Sequence, residues 1–587
     1  MRPILRAILA RPGLWLVFAL GALSLPASAQ ARLTYQTCVK APSETVTSCP
    51  AVASGNAIAT PSQISLSPDE STAYVTGESM GAGSGNVGIF STVGGLRQTG
   101  ALPNAAAVSN GGWPTSSVVS PDGNNVYVTA LSGLWTYTRS HADGSLSGPS
   151  CFGGPSSPSC PIQEAEMTDP VGVLTSPDGN DVYVINHQQA APSTVSSISE
   201  FSRAAGTGTL THTGCLDTAS EGSCTLVPAS MVGLRGLVIS PNGRFAVGAA
   251  YPGGPAGGAV VEFSRDAASG ALSYARCYGP GSGCISIAPH STIPLSVAIS
   301  PDASQLYVSY GDQATSNNIS TYSIDSTTGA LTFAGCIANA LPSCSPSPDQ
   351  FYDNAQLLPS PDGRDLYVMD NGEAIAEYGR DPATGVLSYV GCYSWPVRTG
   401  YGGACTNTAA GLFYSLDMVM SPSGSALYAV SWGNNPWSGP GGSLADNGGG
   451  VVDAFSRVAD VVARTPSPAI VTSSATLGGA PTFGKRLGAG HRHRSRGAKA
   501  RITVRLRCPD GVTRYCAGVL RQLGGPSIAV SGRTDKHGGL IVKLKLHLSK
   551  AQMTRLRRFA GVRVTVVFVQ QMPNGRHRTT RRTITIK

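Results

Sequence analysis

Charged side chains are scarce in this 587-residue chain, at 13% of it, so any acid–base chemistry rests on few groups. His187, Asp312 and Asp370 are the candidates for catalysis: an imidazole and two carboxylates can activate water or hold a cation. Glu78, Asn186, Asn371 and Arg235 are the candidates for ligand contact. Asp169, His290, Asp353, Asp417, Trp432 and Asn434 occupy similar places in the repeat described below. Hydrolysis at such a site would need a positioned base or metal, and a donor for the developing oxyanion. No nucleophile elbow, zinc-ligand pair on a helix, Walker loop or dinucleotide glycine motif is present, so neither a cofactor nor a metal is expected. Against these candidates stands the ordinary fate of loop polar groups, which is solvation or bonding to nearby backbone.

The other reactive residues pair off. Fourteen cysteines form seven close couples: Cys38 with Cys49, Cys151 with Cys160, Cys215 with Cys224, Cys277 with Cys284, Cys336 with Cys344, Cys392 with Cys405 and Cys508 with Cys516. None is left over, and no Cys-x-x-Cys spacing with nearby His suggests zinc, so the couples read as disulfides. Each would close a loop of roughly ten residues, worth about 2.5–3 kcal/mol in the chain-entropy model.

The elements that must position these residues announce themselves by repetition. One phrase recurs seven times, as in Ser120-Pro121-Asp122-Gly123 and Ser300-Pro301-Asp302-Ala303, beginning at Ser67, Ser120, Ser176, Ser240, Ser300, Ser360 and Ser421. A short apolar run precedes each copy and a strand such as Val126-Tyr127-Val128 follows it. Pro fixes φ at the turn, Asp or Asn bonds back to it, and Gly accepts the positive φ. A second hairpin completes each unit, as where Ala374–Tyr378 leads through Asp381–Gly385 to Val386–Cys392. Four strands per unit of roughly 60 residues, seven units and almost no helical periodicity predict an all-β chain dominated by a seven-bladed β-propeller over residues 30–464.

The last unit stops after Val451–Arg457 without its final strand. Leu33-Thr34-Tyr35-Gln36-Thr37-Cys38, at the other end, matches the missing text and is expected to close the ring. Innermost strands would precede the Ser-Pro-Asp-Gly turns, placing those turns on one face and the cysteine couples with the candidate residues on the other. The repeated Ser-Pro-Asp-Gly-x-x-Val/Leu-Tyr-Val, with its Thr-Gly-x-Leu strand, resembles the YVTN/lactonase-like propellers, which include 6-phosphogluconolactonase. The resemblance implies the fold and raises hydrolysis of a sugar-derived lactone as an activity. Its shared residues are turn and core elements, so it carries over no catalytic residue.

The two ends of the chain differ in kind. Arg2, Arg6 and Arg11 precede an apolar stretch ending in Pro26-Ala27-Ser28-Ala29, so residues 1–29 read as a secretory signal peptide. No later run is long enough to suggest a transmembrane segment. Residues 30–484 carry 14 Lys/Arg against 31 Asp/Glu, whereas residues 485–587 carry 25 against 2. Residues 465–500 read as a flexible basic linker. Residues 501–587 alternate apolar and cationic positions and resemble a small immunoglobulin-like β-sandwich, with a helical turn or two at Ser549–Phe559. So basic a segment points to an anionic cell-wall polymer or surface as partner, and no aromatic-interleaved motif points to a specific nucleic acid. The expected product is a secreted or envelope-associated monomer, a non-catalytic binding or scaffold propeller in its leading role, with lactone hydrolysis the alternative.

Overall fold

The computed structural model describes residues 31–459, except for loop segments chiefly at 43–45, 53–57, 78–84, 103–113, 155–159, 188–194, 252–256, 287–292, 312–316, 348–353, 371–373, 397–404 and 433–448. Beyond residue 459 it describes the backbone of six strands between Lys499 and Ile586. Residues 1–29, expected to be a signal peptide, and most of residues 465–500 lie outside the described residues, as does the segment Ser549–Phe559.

Seven antiparallel sheets stand in a ring. Their innermost strands are Pro61–Leu66, Pro114–Val119, Pro170–Thr175, Leu234–Ile239, Pro294–Ile299, Asn354–Pro359 and Ser415–Met420. Each neighbours the next, and the seventh returns to the first, so the circle is complete. The closing strand is the expected one. Ala31–Lys40 pairs antiparallel with Val451–Ala459, bringing Tyr35 opposite Phe455 and Cys38 opposite Asp453. Among the described residues no helix is long and apolar enough to cross a membrane.

The repeated turn is built by its own side chains. Ser120 Oγ donates to Asp122 Oδ1 at 2.6 Å and accepts from Asn125 N at 3.0 Å. Gly123, at φ +77°, donates its N–H to the Ser120 carbonyl. This arrangement aims the aspartate at a partner in the next blade. Arg203, in the third strand of blade 3, places Nη2 2.9 and 2.8 Å from the two Asp122 oxygens of blade 2. Its Nε donates to Tyr127 OH at 2.7 Å, and Tyr127 donates to the Gly208 carbonyl. Arg139 with Asp69, Arg265 with Asp178, Arg380 with Asp302 and Arg457 with Asp362 repeat the latch. Burial alone would raise the Asp122 carboxyl, but Ser120 and Arg203 hold it down at about 2.

Two boundaries lack the latch: between blades 7 and 1, Ser423 and Thr92 replace the aspartate and arginine while Tyr428 is kept, and between blades 4 and 5 all three parts are gone. Blade 4 has Asn242 for Asp and Val247 for Tyr, and blade 5 has Ile324 for Arg. Phe245, Val247, Tyr322, Ile324 and Leu331 form an apolar cluster there instead. A buried guanidinium without its carboxylate would be costly, so arginine and aspartate are lost together.

Six of the seven expected disulfides are present: Cys38 is bonded to Cys49, Cys151 to Cys160, Cys215 to Cys224, Cys277 to Cys284, Cys336 to Cys344, and Cys392 to Cys405. The seventh expected couple, Cys508 with Cys516, lies outside them. Cys508 is not among the described residues, and of Cys516 only the backbone, in the strand Tyr515–Gln522, is described.

The outer rim departs from the four-stranded expectation. Blades 2, 3, 5 and 6 gain a two-residue fifth strand, such as Thr225–Leu226, parallel to the fourth. Blades 4 and 7 make a single parallel bridge there, Tyr278 to Ile285 and Lys40 to Ala51. The disulfides cause this, because each ties the fourth strand to the segment returning beside it, with 4.7 Å between the Cα atoms of Cys215 and Cys224. In the C-terminal segment, Lys499–Arg507 pairs with Gly539–His547, and Tyr515–Gln522, Ser527–Arg533, Val562–Gln571 and His577–Ile586 form a separate four-stranded sheet.

Loss of one latch has a measurable cost. Arg203→Ala should lower unfolding free energy by about 3 kcal/mol, the lower end for a broken buried pair because Asp122 keeps solvent contact. Denaturant titration should show this, with exposed Arg244→Ala almost silent. A second expectation concerns pH. Burial pushes Glu200, Glu377 and Asp453 up to about 7. Because the folded state retains these protons, their stabilising contribution is complete below the unfolded carboxylate range, about 4, and is lost as pH rises through 7. The latch aspartates work oppositely, losing their contribution in acid. Thermal unfolding should therefore peak at mildly acidic pH and fall toward pH 8, and Glu377→Gln should flatten that fall.

Candidate functional site

The channel mouth on the disulfide face is where the repeat brings variable residues together. In each blade the residue before the innermost strand lies beside the one ending or following the second strand. Four of these couples share a backbone hydrogen bond: His187 N to Asp169 O at 3.2 Å, Tyr251 N to Gly233 O at 2.9 Å, Gly311 N to Ile293 O at 3.0 Å and Trp432 N to Tyr414 O at 3.2 Å. Asp169 and Tyr414 adopt positive φ, +49° and +50°, a conformation that costs a non-glycine residue about 1–2 kcal/mol. The tight return at the mouth imposes it, and it sets the direction in which each side chain leaves.

Beneath the mouth a belt of side chains links the innermost strands. After a bulge in each strand, one residue can reach the backbone of the next blade. Gln63 Oε1 accepts from Ser117 N at 2.8 Å, Ser116 Oγ from Val173 N at 3.4 Å and Ser296 Oγ from Leu357 N at 3.3 Å. Gln356 Oε1 accepts from Met418 N at 2.6 Å and Asp417 Oδ2 from Ile64 N at 2.9 Å. Burial within this belt pushes the Asp417 carboxyl up to about 7. Blades 3 and 4 break the belt, having Gly172 and Gly236 at the corresponding positions, and the space beside Gly236 is open.

Asp169, His187, Arg235 and Tyr251 surround that break. Arg235 is exposed, with its guanidinium carbon 5.7 Å from the centre of the Tyr251 ring. His187 is half-buried, and its Nδ1 lies 3.4 Å from Ser196 Oγ. Burial, then the charge of Arg235, holds the imidazole below its ordinary range against the pull of Asp169, so it is neutral at pH 7. Blade 7 stands across the ring. There Tyr414, 41% exposed, stacks on Trp432 at 5.5 Å and 15°, backed by Phe413 and Trp395.

The sequence candidates therefore part company. His187 and Arg235 lie at the mouth. Asn186 and Asp370 are buried in the walls: Asn186 Nδ2 donates to Ser197 Oγ and Ser199 Oγ, and Asp370 Oδ1 accepts from Ala374 N at 2.9 Å. Glu78, Asp312 and Asn371 lie outside the described residues, as do His290, Asp353 and Asn434. Tyr251 and Tyr414 escaped sequence reasoning, although each shares a repeat position with a residue it had singled out. Tyr251 corresponds to His187 and Trp432, and Tyr414 to Asp169.

No family model and no curated protein matches the sequence. Among solved structures, the periplasmic gluconolactonase of Pseudomonas aeruginosa is similar at 18% identity, covering 60% of this chain and 87% of its own, with a TM-score of 0.41. A Bacteroides uniformis protein provisionally assigned as a 6-phosphogluconolactonase matches at 19% identity, 56% and 84% coverage, and TM-score 0.40. The hydrazine synthase of Kuenenia stuttgartiensis matches at 18% identity, 64% and 93% coverage, and TM-score 0.42.

The electrostatics of the mouth can be read directly. Arg235→Ala should raise the pKa of His187, by removing a neighbouring positive charge, and Asp169→Asn should lower it further; imidazole proton NMR titration checks both signs.

Proposed function

We propose that this chain is an exported binding propeller that holds its ligand at the channel mouth and is retained at the cell envelope by its basic C-terminal segment. The observation that carries the reading is which groups remain exposed there. Arg235 over Tyr251 offers a cation, and the Tyr414/Trp432 stack across the mouth offers aromatic faces, both suited to grasping a ligand. Asn186 and Asp370, by contrast, are engaged in the walls. Six disulfides suit an oxidising, extracytoplasmic setting. The excess of 25 Lys/Arg over 2 Asp/Glu in residues 485–587 favours an anionic wall polymer as the tether's partner.

A second reading, hydrolysis of a sugar-derived lactone, is favoured by one feature. His187 is a neutral imidazole beside a guanidinium, and a base next to a cation could activate water and steady an oxyanion. One set of measurements separates the readings. The full chain should bind isolated cell walls at low salt and elute as salt approaches about 0.5 M, where screening shortens the electrostatic range. It should turn over no member of a broad lactone panel. Turnover lost in His187→Ala would establish the second reading, and wall retention indifferent to salt would remove the tether.

A further inference from the structure

Between blades 2 and 3, away from the mouth, a histidine lies between two glutamates beside a disulfide. Glu164 and Glu166 come from the crossing that enters blade 3, and His212 and Cys215 from that blade's outer strand, Leu210–Asp217. Residues three apart on a strand normally point to opposite faces. Here a bulge intervenes, so that His212 pairs with Phe201 and Cys215 with Ser199, and both side chains reach one face.

Glu164 Oε2 lies 3.2 Å from His212 Nδ1, and Glu166 Oε1 lies 3.0 Å from His212 Nε2. The second approach has an ion-pair distance without hydrogen-bond geometry: neither Glu166 Oε1 nor His212 Nε2 has a hydrogen-bond partner, although Glu166 is only 3% exposed. A buried carboxylate oxygen and an imidazole nitrogen converge there. Cys215 Sγ completes a group whose ligand atoms all lie within 4.8 Å of one another. Bond lengths of about 2.0–2.3 Å require ligand atoms about 3.3–3.8 Å apart around a tetrahedral zinc, so the sulfur would close in by roughly 1 Å while the Glu166–His212 approach opens by a few tenths of an ångström. Glu164 on Nδ1 would orient the ring, as carboxylates do for metal-bound histidines. What stands in the way is covalent: Cys215 is bonded to Cys224.

We propose that Glu166, His212 and Cys215 form a latent site for a zinc-like divalent cation, closed while Cys215 is bonded to Cys224 and opened when a dithiol reduces that bridge. In that step the dithiol is oxidised to its own disulfide and the protein bridge becomes two thiols. The cation then binds the Cys215 sulfur as the thiolate, Nε2 of the neutral imidazole and the Glu166 carboxylate, and the protons that the thiol and a charged His212 ring had held go to solvent. The absence of paired-cysteine spacing in the sequence does not bear on such a site, since its ligands come from two segments.

The test uses the full chain carrying Cys224→Ala, which frees Cys215 without reductant, and Co²⁺ as the probe. The variant should bind one Co²⁺ with a thiolate charge-transfer band and tetrahedral d–d bands, while the unsubstituted oxidised protein shows neither. In that background, His212→Ala should weaken binding at least tenfold and Glu164→Gln about tenfold. Unchanged affinity in the His212→Ala double variant would mean a lone thiol capturing metal, and a folded Cys224→Ala protein without cobalt bands would equally overturn the site. Should Cys224→Ala not fold, the unsubstituted protein can be opened with a phosphine. Zn²⁺ should then slow alkylation of Cys215, located by mass spectrometry, and an unaltered rate would reject the proposal.

Discussion

The blade-to-blade latch is the constraint on which the rest depends. A guanidinium buried in one blade must find the aspartate, tyrosine and turn carbonyls that satisfy it, and some of these belong to the preceding blade. That requirement fixes the spacing and tilt of neighbouring sheets more sharply than apolar contact could, because a bidentate fork tolerates little displacement. At one boundary the sequence gives up aspartate, tyrosine and arginine together and packs phenylalanine, valine, tyrosine, isoleucine and leucine. Between blades 7 and 1 the aspartate and arginine are again absent as a pair, although Tyr428 remains, so the ion pair is the unit that is kept or lost.

Closure depends on the same logic carried out with buried acids. Glu377 Oε2 accepts the Leu33 N–H and Glu377 Oε1 the Tyr367 hydroxyl, while Asp453 stands behind Cys38. The two ends of the propeller sequence are thus joined by a sheet edge and by carboxyls that prefer to be neutral. The disulfides brace the opposite periphery, where the short returning strands have too few backbone bonds to stay in place by themselves. Latches on one face and bridges on the other leave the mouth residues free to vary without loss of the ring.

The mouth is consequently asymmetric within a nearly symmetric frame. Five blades extend a side chain into the belt and two have glycine; the charged and imidazole groups gather at that break, with aromatic rings opposite. A ligand there would meet a cation and a base at one edge and flat apolar faces at the other.

Seven blades, their strand order, the closing strand and the six cysteine couples of the ring were all legible in the sequence. Each rests on local text: a turn phrase, an alternating run, two cysteines a few residues apart. Local text could also place His187 and Arg235 at strand ends facing the mouth. It could not say that Asn186 and Asp370, one position from the rim or on it, would be buried in the walls, because the strands that cover them lie beside them only in the folded sheet. Nor could it join Glu166 to His212 and Cys215, since a one-residue bulge decides which face His212 occupies. Repetition along the chain therefore determined the architecture. Contacts between strands, which depend on burial and pairing register, decided what each candidate residue does.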